Sequence, residues 1–192
     1  MRLLSTSTLA VSLAACAGAN AALDAGLDTS GDVGQHPAAD AAGAAGDPTV
    51  EAWLKEHDDV RASAKPTPSP ALPKLTWNAA AASVASAWAA HCDWNHNPSR
   101  GNYGENIAAA TSPLTPAAVV AMWAAEASNY DYATNGCSGV CGHYTQIVWR
   151  DTTSVGCAIQ KCTSGSPFGS STWYFAVCDY APPGNFVGAK PY

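Results

Sequence analysis

The stretch Cys141-Gly142-His143-Tyr144-Thr145-Gln146-Ile147-Val148-Trp149-Arg150-Asp151-Thr152-Thr153-Ser154-Val155-Gly156-Cys157 decides how the rest of the chain is read. His143 heads a run of β-formers (Tyr144, Thr145, Ile147, Val148, Trp149) with no Gly or Pro inside it, and that composition predicts a strand. Period-two alternation then puts His143 on the face shared by Thr145, Ile147 and Trp149. A cysteine at each end suggests that the segment is pinned at both ends. An imidazole held at the mouth of such an element suits a ligand or an acid–base group, and the remaining chain can be searched for its partners.

Downstream lie two more strand candidates, 155–162 and 173–180, joined by a Gly/Ser/Pro loop. Upstream the pattern is helical. Asp47-Pro48 offers an N-cap followed by proline at the first helical position. Val50, Trp53, Leu54, His57 and Val60 then recur at helical spacing until Pro66, Pro68, Pro70 and Pro73. Asn78 caps an alanine-rich second helix reaching about Cys92, with Val84 and Trp88 on one stripe and His91 beside them. His57 and His91 read as packed or capping histidines. Residues 92–103 form a polar loop that carries His96. Thr115-Pro116 opens a third helix running to about Ala127, whose apolar face (Val119, Met122, Trp123) also bears Glu126. A carboxylate there is costly unless something pairs with it. Three helices followed by hairpin-linked strands give an α+β class, with helices packed on a small antiparallel sheet.

The formal charge of −6 is unevenly spread over the 192 residues. Residues 17–47 hold five aspartates and no Lys or Arg, whereas from Pro48 onward eight basic residues face ten acidic ones. No basic run exists, so nucleic-acid binding has no electrostatic footprint. Seven cysteines point to an oxidising compartment. Residues 1–15 have a basic start and an apolar run too short to span a bilayer, as in a secretory signal. The run ends Leu13-Ala14-Ala15-Cys16, which resembles the bacterial lipoprotein signal, with Cys16 as the lipid-modified residue. Residues 16–47, rich in Ala, Gly and Asp, are expected to be a disordered tether with ends about 30 Å apart. The folded domain is then 48–192.

His96, Glu105, Glu126 and His143 are the polar residues worth joining, since two imidazoles with two carboxylates suit zinc or general acid–base work. No short spacing forces them together. The six cysteines after Cys16 allow 15 pairings.

Gly142-His143-Tyr144-Thr145-Gln146-Ile147-Val148-Trp149 through Gly156-Cys157, then Val177-Cys178-Asp179-Tyr180 and Pro183-Gly184-Asn185-Phe186, closely resemble the two signature stretches of the CAP superfamily. This superfamily comprises the cysteine-rich secretory proteins, antigen 5 and the plant pathogenesis-related proteins. Cys92-Asp93-Trp94-Asn95-His96 and Gly104-Glu105-Asn106-Ile107 fall in the family order. The resemblance implies an α–β–α sandwich around an antiparallel sheet. It also implies a cleft in which His96 and His143 bind zinc or another divalent cation, with Glu105 and Glu126 as acid–base or supporting groups. The disulfides it implies are Cys92–Cys162, Cys157–Cys178 and Cys137–Cys141.

Family activities range from sterol and fatty-acid binding to a disputed peptidase function, so membership fixes no single chemistry. Asn97 stands where a serine often follows the first cleft histidine, and the segment 108–118 has no aromatic residue. The reading is therefore an envelope-anchored binding module with a divalent-metal cleft, with a small apolar or lipid ligand as a further expectation. A metal-dependent hydrolase and a structural or adhesion protein are the alternatives. Glu126→Gln is expected to weaken metal binding more than folding, and Glu126→Leu to favour the metal-free domain.

Overall fold

Local sequence signals set the helix starts in this computed structural model, which describes residues 46–192. The signal segment 1–15, Cys16 and all but the last two residues of the expected tether lie outside the described residues. The Asp47 side chain accepts from Thr49 N at 2.7 Å and opens α1 (Pro48–Ser63). Asn78 accepts from Ala81 N at the start of α2 (Ala79–Ala90), and Thr115 from Ala118 N at the start of α3 (Pro116–Ala124). Each cap satisfies an amide that the helix itself cannot.

Strands β1 (Thr76–Trp77), β2 (Gly104–Ala110), β5 (Ser154–Cys162) and β6 (Trp173–Ala181) form one sheet in the order β1-β5-β6-β2. The three long strands are antiparallel, as expected of the sheet, although of these the sequence reading expects only β5 and β6 as strands; β1 joins β5 in parallel, so the sheet is mixed. Two-residue strands β3 (Tyr130–Asp131) and β4 (Gly136–Cys137) make a separate small ribbon. Helices cover both faces. On one face α2 lays Ala85 and Ala89 against Ile107, Trp173, Phe175 and Val177. Gly156 of β5 lies directly beneath α2, where a Cβ would collide with Ala82 N and Asn78 O. On the other face Trp53, Trp123, Ile147 and Val148 pack on Cys157, Cys178 and Tyr180. This is an α–β–α sandwich of the α+β class.

The expectation of a strand at 143–149 is overturned. Gly142–Ile147 is a helix, α4. Every residue from His143 to Ile147 is buried, so the segment shows no apolar stripe by which to tell a helix from a strand. Its first-turn amides find an acceptor in Glu126, as His143 N and Tyr144 N donate to Oε2 at 3.0 and 3.3 Å. A cap supplied from 17 residues away leaves no local trace, and here it outweighs the β propensity of Tyr, Thr, Ile, Val and Trp. The third helix also ends sooner than expected, tightening into a 3-10 turn at Ala125–Asn129 that contains Glu126.

Candidate metal and ligand site

His143 enters the site from α4, with its ring stacked on Trp123 at 5.9 Å between centroids. Its Nδ1–H donates to Glu126 Oε1 at 2.6 Å, and both side chains are buried. Glu126 therefore accepts three hydrogen bonds: one at Oε1 and the two α4 amides at Oε2. These bonds answer the question raised by a carboxylate on an apolar helix face. They also occupy both oxygens, so Glu126 acts here as a bracket for His143.

His96 enters from the loop after α2. Its Nδ1–H donates to Glu105 Oε1 at 2.6 Å, and Asn97 N donates to the same oxygen at 2.9 Å. The Glu105 side chain is buried while His96 is partly exposed, at 18%. In each pair a carboxylate fixes the imidazole with the proton on Nδ1. In the neutral ring that leaves the Nε2 lone pair as the free acceptor.

Successive residues of β2 tie the two pairs together. Glu105 holds His96, the Asn106 side chain donates to His143 O at 3.0 Å, and Ile107 O accepts from the Trp123 indole at 3.2 Å. Alternation points Glu105 and Asn106 to opposite faces of the sheet. Because β2 is an edge strand, the two faces meet along its unpaired side.

A second polar chain supports the His143 side. His57 Nδ1–H donates to Trp53 O at 2.7 Å, so its Nε2 accepts from the Tyr180 hydroxyl at 2.8 Å. The Tyr180 oxygen accepts in turn from Asn106 Nδ2 at 3.1 Å. Burial pushes the His57 imidazole down to about 4, overcoming the favourable bond to Trp53 O. His57 is thus a neutral packed histidine, and His91 is an exposed one against Trp88 at the α2 C-cap. Arg61 is also buried and donates to four carbonyls, those of Pro73, Ile147, Trp149 and Thr152, which locks the chain after α4.

Sequence reading missed one group. Asp179 is fully buried beside Glu105 in the β2–β6 register. The signal was there: positions 173, 175, 177 and 179 alternate onto one face, which makes Asp179 an acid among apolar residues. Three disulfides join Cys92 to Cys162, Cys137 to Cys141 and Cys157 to Cys178. His57 lies within 4.8 Å of Cys157 and Cys178, but those sulfurs are bonded to each other and both imidazole nitrogens are engaged, so the trio offers no ligand set.

The fold defines a class, and the comparisons agree with it. The model of the cysteine-rich secretory protein family, CAP, matches residues 54–180. This chain belongs to that family. It is 43% identical over 123 residues to the basic form of pathogenesis-related protein 1 of Nicotiana tabacum, covering 62% of this chain and 64% of that one. It is 35% identical over 153 residues to GLIPR1-like protein 1 of Mus musculus, covering 74% and 63% respectively. The chain thus spans a little under two thirds of the length of these relatives. Schistosoma mansoni venom allergen-like protein 4 has the same fold, with a TM-score of 0.62 at 28% identity over 76% of this chain and 94% of that one. NaASP2, solved with Zn2+, aligns with a TM-score of 0.58 at 23% identity over 75% and 84%.

Proposed function

We propose that the chain is an extracytoplasmic binding module in which His96 and His143 hold a divalent cation, zinc being the first candidate. One observation carries this reading: both imidazoles commit Nδ1–H to a buried glutamate, which turns Nε2 into the ligating atom. Two such arms flank one edge strand, and an ion bridging them would have two protein ligands and otherwise water. That is an open site rather than a closed structural cage. Such an ion would supply Lewis-acid polarisation of whatever bound to it. NaASP2 was solved with Zn2+, but at 23% identity that likeness concerns the fold, and the proposal stands on the histidines.

A metal-dependent hydrolase would need Glu105 or Glu126 as a base on water. Glu126 has no free oxygen, and the free oxygen of Glu105 is buried, so the binding reading is preferred. A small apolar or lipid ligand would have to lie outside the two packed faces of the sheet, which tryptophan, tyrosine and alanine side chains fill. Membrane attachment through Cys16 belongs to the same proposal. The six other cysteines pair with one another, which leaves Cys16 as the odd one. Intact-mass analysis of membrane-fraction protein should find an acylated Cys16 at the N-terminus.

Zinc calorimetry on the full chain tests the cation site. Binding should be lost in the double variant His96→Ala plus His143→Ala. It should also weaken between about pH 7.5 and about pH 5.5, because only neutral imidazole binds a metal. Binding that survives the double variant, or does not weaken in acid, overturns the reading.

A further inference from the structure

Strands β2 and β6 pair Glu105 with Asp179, and β5 adds Gly156 on the other side of Asp179. Paired positions point to one face, so the two carboxyls lie side by side beneath α2. Asp179 is fully buried and neither of its oxygens has a hydrogen-bond partner, and Glu105 Oε2 is in the same condition. Two ionised carboxylates directly opposite each other in such a place cannot both persist, so the pair requires a proton or a cation.

The neighbours decide between these. α2 (AAAASVASAWAA) brings no ionisable group, and β5 brings Gly156. From the loop before β2, Arg100 acts on Asp179, but its Nε and Nη1 already donate to Tyr103 O and Asn97 O. His96, from the same loop, directs its Nδ1–H to the other oxygen of Glu105. Among the described residues, the groups of three His, Cys, Asp or Glu close enough to cage an ion reduce to His57 with Cys157 and Cys178. The carboxyl pair has no third protein ligand and, with both side chains fully buried, no water to complete a coordination shell, so a proton suits it better than a metal. Burial and then the charge of Glu105 push the Asp179 carboxyl up to about 8, with Arg100 opposing.

We propose that Asp179 is a neutral carboxylic acid whose O–H donates a hydrogen bond to Glu105 Oε2 and thereby positions His96. Glu105 then carries the single negative charge, with Oε1 accepting from His96 and Asn97 and Oε2 accepting from Asp179. With both oxygens engaged, the carboxylate cannot rotate, and His96 is held with its proton on Nδ1. The inference concerns the candidate site above but needs no metal, so it and the cation reading fail separately.

The test is NMR on the metal-free full chain, with 13C-labelled aspartate carboxyls and 15N-labelled imidazoles. One aspartate carboxyl, absent from Asp179→Asn, should remain protonated at neutral pH and titrate near 8. His96 should be the Nδ1–H tautomer in the parent and in Asp179→Asn, whose amide donates to the same oxygen. In Asp179→Leu it should become a mixture with the Nε2–H tautomer. If the leucine variant does not fold, the parent serves instead: ionising Asp179 above pH 8 should shift the His96 tautomer ratio, and Asp179→Asn should abolish that shift. An Asp179 carboxyl ionised at neutral pH overturns the proposal. So does a His96 tautomer indifferent to both the leucine variant and the alkaline step.

Discussion

His143 and His96 each donate Nδ1–H to a glutamate at 2.6 Å, yet the surroundings of the two contacts differ. His143 sits on a buried helix, stacks on Trp123 and is bracketed by a glutamate that also caps its helix. Its backbone carbonyl is held by Asn106, which leads through Tyr180 to His57 and α1. His96 rides on a partly exposed loop, tied down by Glu105 and by the Cys92–Cys162 disulfide at the start of that loop. One arm is therefore part of the core. The other is held by a covalent tie and a carboxyl pair. The core arm should move only when the domain unfolds, while the loop arm can be loosened by itself.

The largest effect that sharpens this contrast comes from the disulfide. Cys92→Ala with Cys162→Ala opens a link across 70 residues and should cost about 4 kcal/mol in denaturant unfolding. In the folded population the His96 tautomer signal should broaden while that of His143 stays sharp. The reverse would show that His143, not His96, is the loosely held histidine.

Next comes Glu126→Leu. Leucine would strand three buried donors, so a loss of about 3 kcal/mol is expected, against the sequence-based expectation of a stabilised metal-free domain. Glu126→Gln retains an acceptor oxygen and should lose about half as much. A leucine variant as stable as the parent would show that the bracket does not support the core arm.

Acid and alkali should then act on opposite sides of β2. The His57 value of about 4 lies below the ordinary 6.5, so its contribution to stability is present above 6.5 and is lost as pH falls through 4. The full loss is about 3 kcal/mol. The Asp179 value of about 8 lies above the ordinary 3.8, so its contribution is present below 3.8 and is lost as pH rises through 8. Thermal unfolding of Asp179→Asn should show a gain over the parent that is small near pH 4, grows as pH rises towards 8 and levels off above it. A gain independent of pH would contradict the assignment. The smallest effect is Glu105→Ala, about 1 kcal/mol, because one of its partners, His96, can turn to water.

Caps, prolines and alternating apolar runs are local signals, and they were enough for three helix starts and for the strands ending at Cys162 and near Tyr180. It also placed a buried carboxylate at Glu126, because an acid on an apolar stripe calls for a partner. The family motifs carried the disulfide partners and the two histidines. Tertiary structure alone decided that 142–147 is a helix, since its cap comes from Glu126 and burial on every side erases periodicity. It alone made Gly104–Ala110 a strand, because alanines with little β propensity are held there by the register with β6. It alone set Asp179 against Glu105, because a residue's cross-strand neighbour depends on register, and register is settled by packing across the whole sheet.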